Sequence, residues 1–358
     1  MMTQSVPETM RAAVYSGNRT VTASTVAVPR TGPGELLVRV DSCGVCHTDL
    51  KKIGYDLLPA PRIYGHETAG TVAAVGDGVT GFAPGDRVCF FHHIPCFDCY
   101  YCRFRDYAQC ATYKKVGVTA GFEPAGGGFS EYVRVMDWIV RRGVERIPAG
   151  ASSERATFVE PVNTCLKGLA KCALAPGESV LVMGQGPIGL IFTALLHRKG
   201  FKRVFATDRL ADRLDLARQF GACAAWPPGE EATRELRRAT HGRGADAVIV
   251  AASAPGIVEE AVTLARRGGR VLLFAQTSSE ERFTLDGRSI CGEDRALIGS
   301  YSACADLQRE SAAIVWDPAF PADALVSHRF ALDSFGEAMR LASHPRGGSL
   351  KVVIRPGL

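Results

Sequence analysis

The sequence predicts an α/β protein in two parts, a β-rich domain of short strands and a doubly wound parallel sheet. Three observations carry this. From Glu178 onward, apolar runs of strand length alternate with helical stretches, the pattern of a parallel sheet covered on both faces. Ahead of them, short β-rich runs are separated by clusters such as Thr31-Gly32-Pro33-Gly34 and Pro84-Gly85-Asp86, which suit an antiparallel, barrel-like domain. A length of 358 residues is large for one core and fits two.

The β-rich part contains the runs Ala12–Tyr15, Leu36–Val40, Thr71–Val75 and Arg87–Phe91. Residues 121–135, with Gly121 and Gly126-Gly127-Gly128, read as a flexible loop entering a strand. Glu160-Pro161 opens a helical stretch, because proline favours a helix's first turn. The parallel sheet then begins with Ser179–Met183, followed by the turn Gly184-Gln185-Gly186-Pro187-Ile188-Gly189 and an apolar helix through Leu196. Further strands are expected at Val204–Thr207, Ala222–Ala225, Ala247–Val250, Val271–Phe274 and Ala296–Ile298, with a helix over Leu210–Phe220.

Composition excludes several function classes. The net charge of +5 is modest, and basic residues come in pairs such as Arg141-Arg142 and Arg237-Arg238, not in tracts, so no nucleic-acid partner is expected. The N-terminus lacks the apolar core of a signal peptide, and the most apolar window, Ser179–Leu196, is broken by Gly and Pro. No membrane association is expected. Twelve cysteines without these signals argue for metal binding or idle thiols in a reducing, cytoplasmic setting.

Two clusters carry chemistry. The stretch Cys43 to Gly70 brings Cys46, His47, Thr48, Asp49, His66 and Glu67 into one short segment, and thiolate, imidazole and carboxylate are the donors of a zinc site with room for a substrate. A buried cysteine and a satisfied core histidine are the competing reading. The run Cys96-x2-Cys99-x2-Cys102-x7-Cys110 places four thiols within 15 positions, spacing that closes a tetrahedron around zinc and leaves no open position. A ferredoxin-type cluster would place its fourth cysteine after three residues and before proline, whereas here the gap is seven and Ala111 follows.

A G-x-G-x-x-G run alone is weak, but this one follows a strand and opens a helix. Asp208 comes 24 positions after Gly184, at the end of the next strand. In that setting the glycines Gly184, Gly186 and Gly189, with Pro187 and Ile188, let backbone approach a pyrophosphate at a helix N-terminus. Asp208 can accept from ribose hydroxyls and repels a 2′-phosphate, favouring NAD over NADP; Arg209 beside it partly offsets that repulsion.

With both halves read, the chain resembles the zinc-dependent medium-chain dehydrogenase/reductases over nearly its whole length. The signature-like run is Gly65-His66-Glu67-x2-Gly70-x-Val72-x2-Val75-Gly76-x2-Val79-x2-Phe82-x2-Gly85-Asp86-Arg87-Val88. The resemblance implies a GroES-like catalytic domain (residues 1–159), a Rossmann NAD-binding domain (160–298) and a return to the catalytic domain (299–358). It further implies a catalytic zinc held by Cys46, His66 and Glu160, with Glu67 a direct ligand or one that exchanges with water. Glu160 matches the position where polyol and threonine dehydrogenases place Glu; Cys165 is the runner-up. Asp49 would hold His66, and a structural zinc would take Cys96, Cys99, Cys102 and Cys110. Thr48 would accept a hydrogen bond from the alcohol, His47 would sit on the pyrophosphate, and Arg213 near the adenosine ribose. Relatives often carry a proton-relaying His where this chain has Lys51, so the relay runs through Lys51, His47 or water.

The implied activity is hydride transfer between NAD and a small alcohol, with Glu160 tilting the substrate toward a secondary polyol, cyclitol or amino alcohol. A simple primary or secondary alcohol is the alternative, and a catalytically silent NAD- and zinc-binding relative a further one. The family implies a homodimer or homotetramer.

Overall fold

The structure is a computed structural model and describes residues 6–91, 94–112, 126–275 and 282–358. The predicted loop around Gly121 therefore lies outside the described residues, whereas Gly126-Gly127-Gly128 lie within them. The chain divides into two compact units, Met1–Asn163 with Cys304–Leu358, and Thr164–Ala303.

The first unit is built on mainly antiparallel β-structure, with one parallel pair, Val326–Phe330 beside Lys351–Ile354. Seven strands form one sheet, in the order Val326–Phe330, Lys351–Ile354, Leu36–Gly44, Glu67–Val75, Arg87–Phe90 and Val144–Arg146, with Tyr132–Val135 also paired to Leu36–Gly44. A smaller sheet joins Thr20–Ala27, Thr9–Gly17 and Arg62–Ile63. The strand expected at Thr71–Val75 starts earlier, at Glu67, because Glu67 and Thr68 are polar yet buried and hide the strand pattern. In the centre of the large sheet, Gly44 pairs with Glu67 on one side and with Val353 on the other.

The second unit is a six-stranded sheet in the order Ala224–Trp226, Arg203–Thr207, Ser179–Met183, Ala245–Val250, Ala265–Leu273 and Ala296–Gly299, every pairing parallel. All five residues of Ser179–Met183 are buried, as expected of a strand covered on both faces. The helix Pro187–Arg198 that follows is buried at every position from Gly189 to Leu196. Such a helix is apolar all round because it lies inside the unit's core.

The strand expected at Val271–Phe274 begins at Ala265 instead. Arg266, Arg267 and Arg270 mask it in the sequence. Arg266 Nε donates to Asp246 Oδ1 at 2.5 Å, and Arg270 Nη1 to the Cys172 carbonyl at 2.9 Å. Asp246 Oδ2 in turn accepts from the Ser179 amide at 2.8 Å and its hydroxyl at 2.6 Å, so one carboxylate ties three neighbouring strands. Burial pulls the Asp246 carboxyl upward, but the Ser179 and Arg266 hydrogen bonds outweigh it and hold it at about 2.

The chain leaves the first unit at Asn163 and re-enters it at Cys304, and these two residues bind each other. Asn163 Nδ2 donates to the Cys304 carbonyl at 3.0 Å, and the Cys304 amide donates to Asn163 Oδ1 at 2.7 Å. Inside the second unit the same two passages run side by side, with Lys167 Nζ on the Tyr301 carbonyl at 2.7 Å and Lys171 Nζ on the Gly299 carbonyl at 2.9 Å. Among the described residues no helix is long and apolar enough to cross a membrane.

Candidate metal and cofactor sites

The four-thiol lobe is a loop with one short helix, Tyr100–Arg103. Its sulfurs lie close without bonding: Cys96 to Cys102 at 3.9 Å, Cys99 to Cys102 at 3.5 Å and Cys110 to Cys96 at 3.6 Å. All twelve cysteines are free thiols. A tetrahedron of thiolates ~2.3 Å from a zinc ion has edges of about 3.8 Å, so these separations already match the coordination polyhedron. Electrostatics agree. Burial and the neighbouring Cys99 thiol push Cys102 up to about 12. Against its own burial, the Cys96 amide and the Thr112 hydroxyl bring Cys110 down to about 6. Thiols this close resist ionising together, and a divalent cation is what lets them do so. The donor set fits zinc.

The second cluster joins the start of the helix His47–Gly54 to the head of the strand Glu67–Val75. Cys46 caps the helix His47–Gly54: its sulfur accepts from the Thr48 amide at 3.5 Å, and Asp49 Oδ2 accepts from the Cys46 amide at 3.2 Å. This reciprocal cap fixes Cys46 against Asp49. Asp49 is fully buried, and its Oδ1 accepts from His66 Nδ1–H at 3.1 Å. That bond sets the tautomer and leaves Nε2 as the basic nitrogen. The donor atoms of Cys46, His66 and Glu67 lie within 4.8 Å of one another. Burial alone would lower the His66 pKa, yet Asp49 and Cys46 hold it well above its ordinary value. The site thus gathers anionic groups around a ring that would give up its proton to a metal, which is the chemistry of a zinc-binding donor set.

Glu160 is the second residue of the helix Val159–Cys172, and with His66, Glu67, Thr157 and Phe91 it lines a small pocket. Burial, with Glu67 nearby, pushes its carboxyl up to about 7. The Cys165 thiol lies elsewhere, 4.0 Å from the Ile188 carbonyl. Thr48 stands in the first turn of the Cys46-capped helix with Lys51 one turn on, and His47 is exposed.

One residue at this site escaped the sequence reading. Lys351 opens the last strand, is 5% exposed, and its ammonium stands against Glu67 Oε2. Burial would lower its pKa, but Glu67, Cys46 and Glu160 raise it above the ordinary lysine value. The available signal was a charge at the head of the otherwise apolar run Lys351-Val352-Val353-Ile354.

In the second unit, Gly184 has φ +90°, a conformation suited to glycine, and a Cβ there would lie 2.5 Å from Ala252 Cβ. A Cβ on Gly189 would lie 1.8 Å from the Gly184 carbonyl oxygen. Gly186 caps the helix, and a Cβ there would meet only Arg213 Nη1, at 3.7 Å. Gln185, also missed in the sequence reading, is fully buried; its Nε2 donates to the Val182 carbonyl at 3.1 Å and its Oε1 accepts from Thr193 Oγ1 at 3.0 Å. Asp208 accepts from the Gln185 amide at 2.6 Å and the Leu210 amide at 2.9 Å, with Arg213 Nη1 4.0 Å away and Arg209 exposed. The turn and the acid at the next strand's tip are therefore one hydrogen-bonded piece, and the bare helix N-terminus at Gly186 fits a pyrophosphate.

Comparison with known proteins agrees with this arrangement. Residues 32–145 match the alcohol dehydrogenase GroES-like domain, and residues 187–316 match the zinc-binding dehydrogenase domain. Sorbitol dehydrogenase of Bacillus subtilis (strain 168) is 29% identical, covering 99% of both chains. Erythritol/L-threitol dehydrogenase of Mycolicibacterium smegmatis is 30% identical, covering 99% of this chain and all of that one. A zinc-binding dehydrogenase from Sinorhizobium meliloti 1021, solved bound to NADP, superposes with a TM-score of 0.88 at 27% identity, covering 98% of this chain and 100% of that chain. Fold and donor sets together define a zinc-binding dehydrogenase architecture. The chain belongs to the alcohol dehydrogenase family, the zinc-dependent medium-chain dehydrogenase/reductases.

Proposed function

We propose that this chain oxidises a secondary alcohol flanked by polar groups (a polyol, cyclitol or amino alcohol) with NAD, and reduces the matching ketone in reverse. The observation that carries the reading is the convergence of Cys46, His66 and Glu67, with Glu160 lining the same cavity. A glutamate there makes the site harder and more polar than a second thiolate would, which suits a substrate with several hydroxyls. The polyol dehydrogenases among the full-length relatives support the same class.

In this reading Cys46, His66 and Glu160 hold the catalytic zinc, and Cys96, Cys99, Cys102 and Cys110 hold a structural one. Zinc supplies the Lewis acidity that lets a hydroxyl lose its proton near neutral pH, and NAD supplies the hydride acceptor. The chain's own side chains do the remaining work. Asp49 keeps His66 turned with Nε2 outward. The Thr48 hydroxyl accepts the substrate's proton, which leaves by way of Lys51, His47 or water. Gly184, Gly186, Pro187, Ile188 and Gly189 seat the pyrophosphate with His47, while Asp208 accepts from the adenosine ribose beside Arg209 and Arg213. Asp208 is the reason for choosing NAD over NADP. We assign residues 1–159 and 299–358 to the catalytic domain and 160–298 to the cofactor domain, in a cytoplasmic homodimer or homotetramer.

The test is a panel of polyols, cyclitols, amino alcohols and simple alcohols, each followed by absorbance of the reduced cofactor with NAD and with NADP. Turnover confined to simple alcohols would replace the substrate class, and preference for NADP would reverse the role given to Asp208.

A further inference from the structure

We infer that the small pocket lined by Glu160 holds one ordered water that bridges Gln308 to the Glu160 carboxylate, making Gln308 a positioning residue for that glutamate. The bridge itself needs no metal; its effect on the metal site rests on the reading of Glu160 as part of the catalytic centre. Gln308 is the first residue of the helix Gln308–Trp316 and is only 4% exposed. It lines the pocket with Glu160, Glu67, Thr157 and Phe91, all of them in the first unit. Its Oε1 is buried and has no hydrogen-bond partner among the described residues. Buried amide oxygens are normally given a donor by the protein or by ordered water.

The pocket's other polar groups supply none. Thr157 has given its hydroxyl proton to the Glu154 carbonyl at 2.7 Å, Glu67 is paired with Lys351, and an ionised Glu160 offers only acceptor oxygens. What joins two acceptors is a molecule with two protons to donate. The pocket has room for one water-sized guest, too little for a polyol, so water fits on both counts. The ends of the bridge are fixed by one frame. Asn163, one turn beyond Glu160, exchanges two hydrogen bonds with Cys304, and the Leu307 amide donates to the same Cys304 carbonyl at 3.1 Å, immediately ahead of Gln308. At the far end of that helix, Arg155 Nε donates to the Val315 carbonyl at 2.6 Å and Nη2 to the Phe320 carbonyl at 2.7 Å. The segment carrying Glu160 is thus tied to both ends of the helix carrying Gln308. With the backbones held, a water donating to one carboxylate oxygen selects among the rotamers left to the glutamate.

The test pairs crystal structures of the wild-type enzyme and Q308M with two measurements on full-length protein. One is the release to a chelator of Co²⁺ placed in the Cys46 site, with zinc kept in the four-thiol lobe. The other is a thermal melt. The wild type is expected to show one water in hydrogen-bond reach of both Gln308 Oε1 and Glu160, and Q308M to lose it. Q308M should release Co²⁺ about tenfold faster, the effect that residues contacting metal ligands commonly have. Its melting temperature should hold or rise, because methionine has a similar volume and removes the unpaired acceptor. A merely structural role would move stability and metal retention together. A wild-type pocket without the water, Gln308 bonded directly to Glu160, or a water unmoved in Q308M would overturn the bridge, and the wild-type structure alone decides this if Q308M does not fold. Unchanged release in Q308M, or faster release in step with a lower melting temperature, would overturn the positioning role. E160Q separates the two levels: cobalt bands identical to wild type would remove Glu160 from the metal, and the role built on it, while the bridging water stands.

Discussion

Gly186→Ala separates the fold of the cofactor turn from its function. Gly186 has φ −68° and ψ −174°, which alanine adopts freely, and the new methyl would meet nothing closer than Arg213 Nη1 at 3.7 Å. Replacing glycine at such a position stabilises by about 0.4–1 kcal/mol through the unfolded chain, so thermal stability should hold or rise slightly. The cofactor is another matter. If a pyrophosphate packs against the Gly186 backbone, the methyl stands where the phosphate must come, and forcing a carbon into such a contact costs about 1–3 kcal/mol. That corresponds to roughly a 5- to 150-fold rise in Kd. NADH fluorescence titration beside a thermal melt reads both quantities on one sample. Gly184→Ala is the contrast: its φ of +90° and its 2.5 Å approach to Ala252 should cost stability before any cofactor is added. Unchanged NADH affinity in a stable Gly186→Ala would refute the placement of the pyrophosphate.

Four further outcomes follow from the same geometry. Asp49→Asn replaces the acceptor of the His66 Nδ1–H bond and should weaken metal binding at the Cys46 site about 10- to 100-fold, measured by competition with a chelator, while leaving the four-thiol lobe loaded. Thr48→Val should keep metal content and NADH affinity yet lose most of kcat, and full turnover in that variant removes Thr48 from the proton path. Asp246, held at about 2, contributes stability that is complete above its ordinary carboxyl value near 4 and is lost as pH falls through 2. After allowance for solvent screening this is about 1 kcal/mol, so Asp246→Asn should lower the neutral-pH urea midpoint and flatten its decline between pH 4 and 2. If the four thiols hold one of the two zincs proposed, Cys99→Ser should lower the zinc content per chain by one in elemental analysis; an unchanged content would show that the four thiols do not hold one.

Local patterns made much of this legible in the sequence. The Gly184 turn and the four-thiol lobe are contiguous, and each announces itself through spacing that chemistry requires. The cluster of Cys46, Asp49, His66 and Glu67 was visible for the same reason, its members lying in two short stretches about 20 residues apart, a helix start and a strand start. What could not be read came from strand pairing across long stretches of chain. Lys351 meets Glu67 only because the final strand returns beside Leu36–Gly44, and no local periodicity encodes that return. The strand Ala265–Leu273 was hidden for a related reason, since its arginines look like a solvated turn until Asp246 and the Cys172 carbonyl supply their partners. Gln185 reads as a loop filler until Val182 and Thr193 are seen to hold it.

The mutual grip of Asn163 and Cys304 makes the cofactor-type unit a cassette with both of its ends at one doorway. A module whose entrance and exit coincide can be grafted, exchanged or lost without redrawing the host's strands. Recombination among relatives at this threshold would therefore trade nucleotide preference independently of the metal centre, and a chimera spliced at these two residues is the natural unit for engineering one trait while keeping the other.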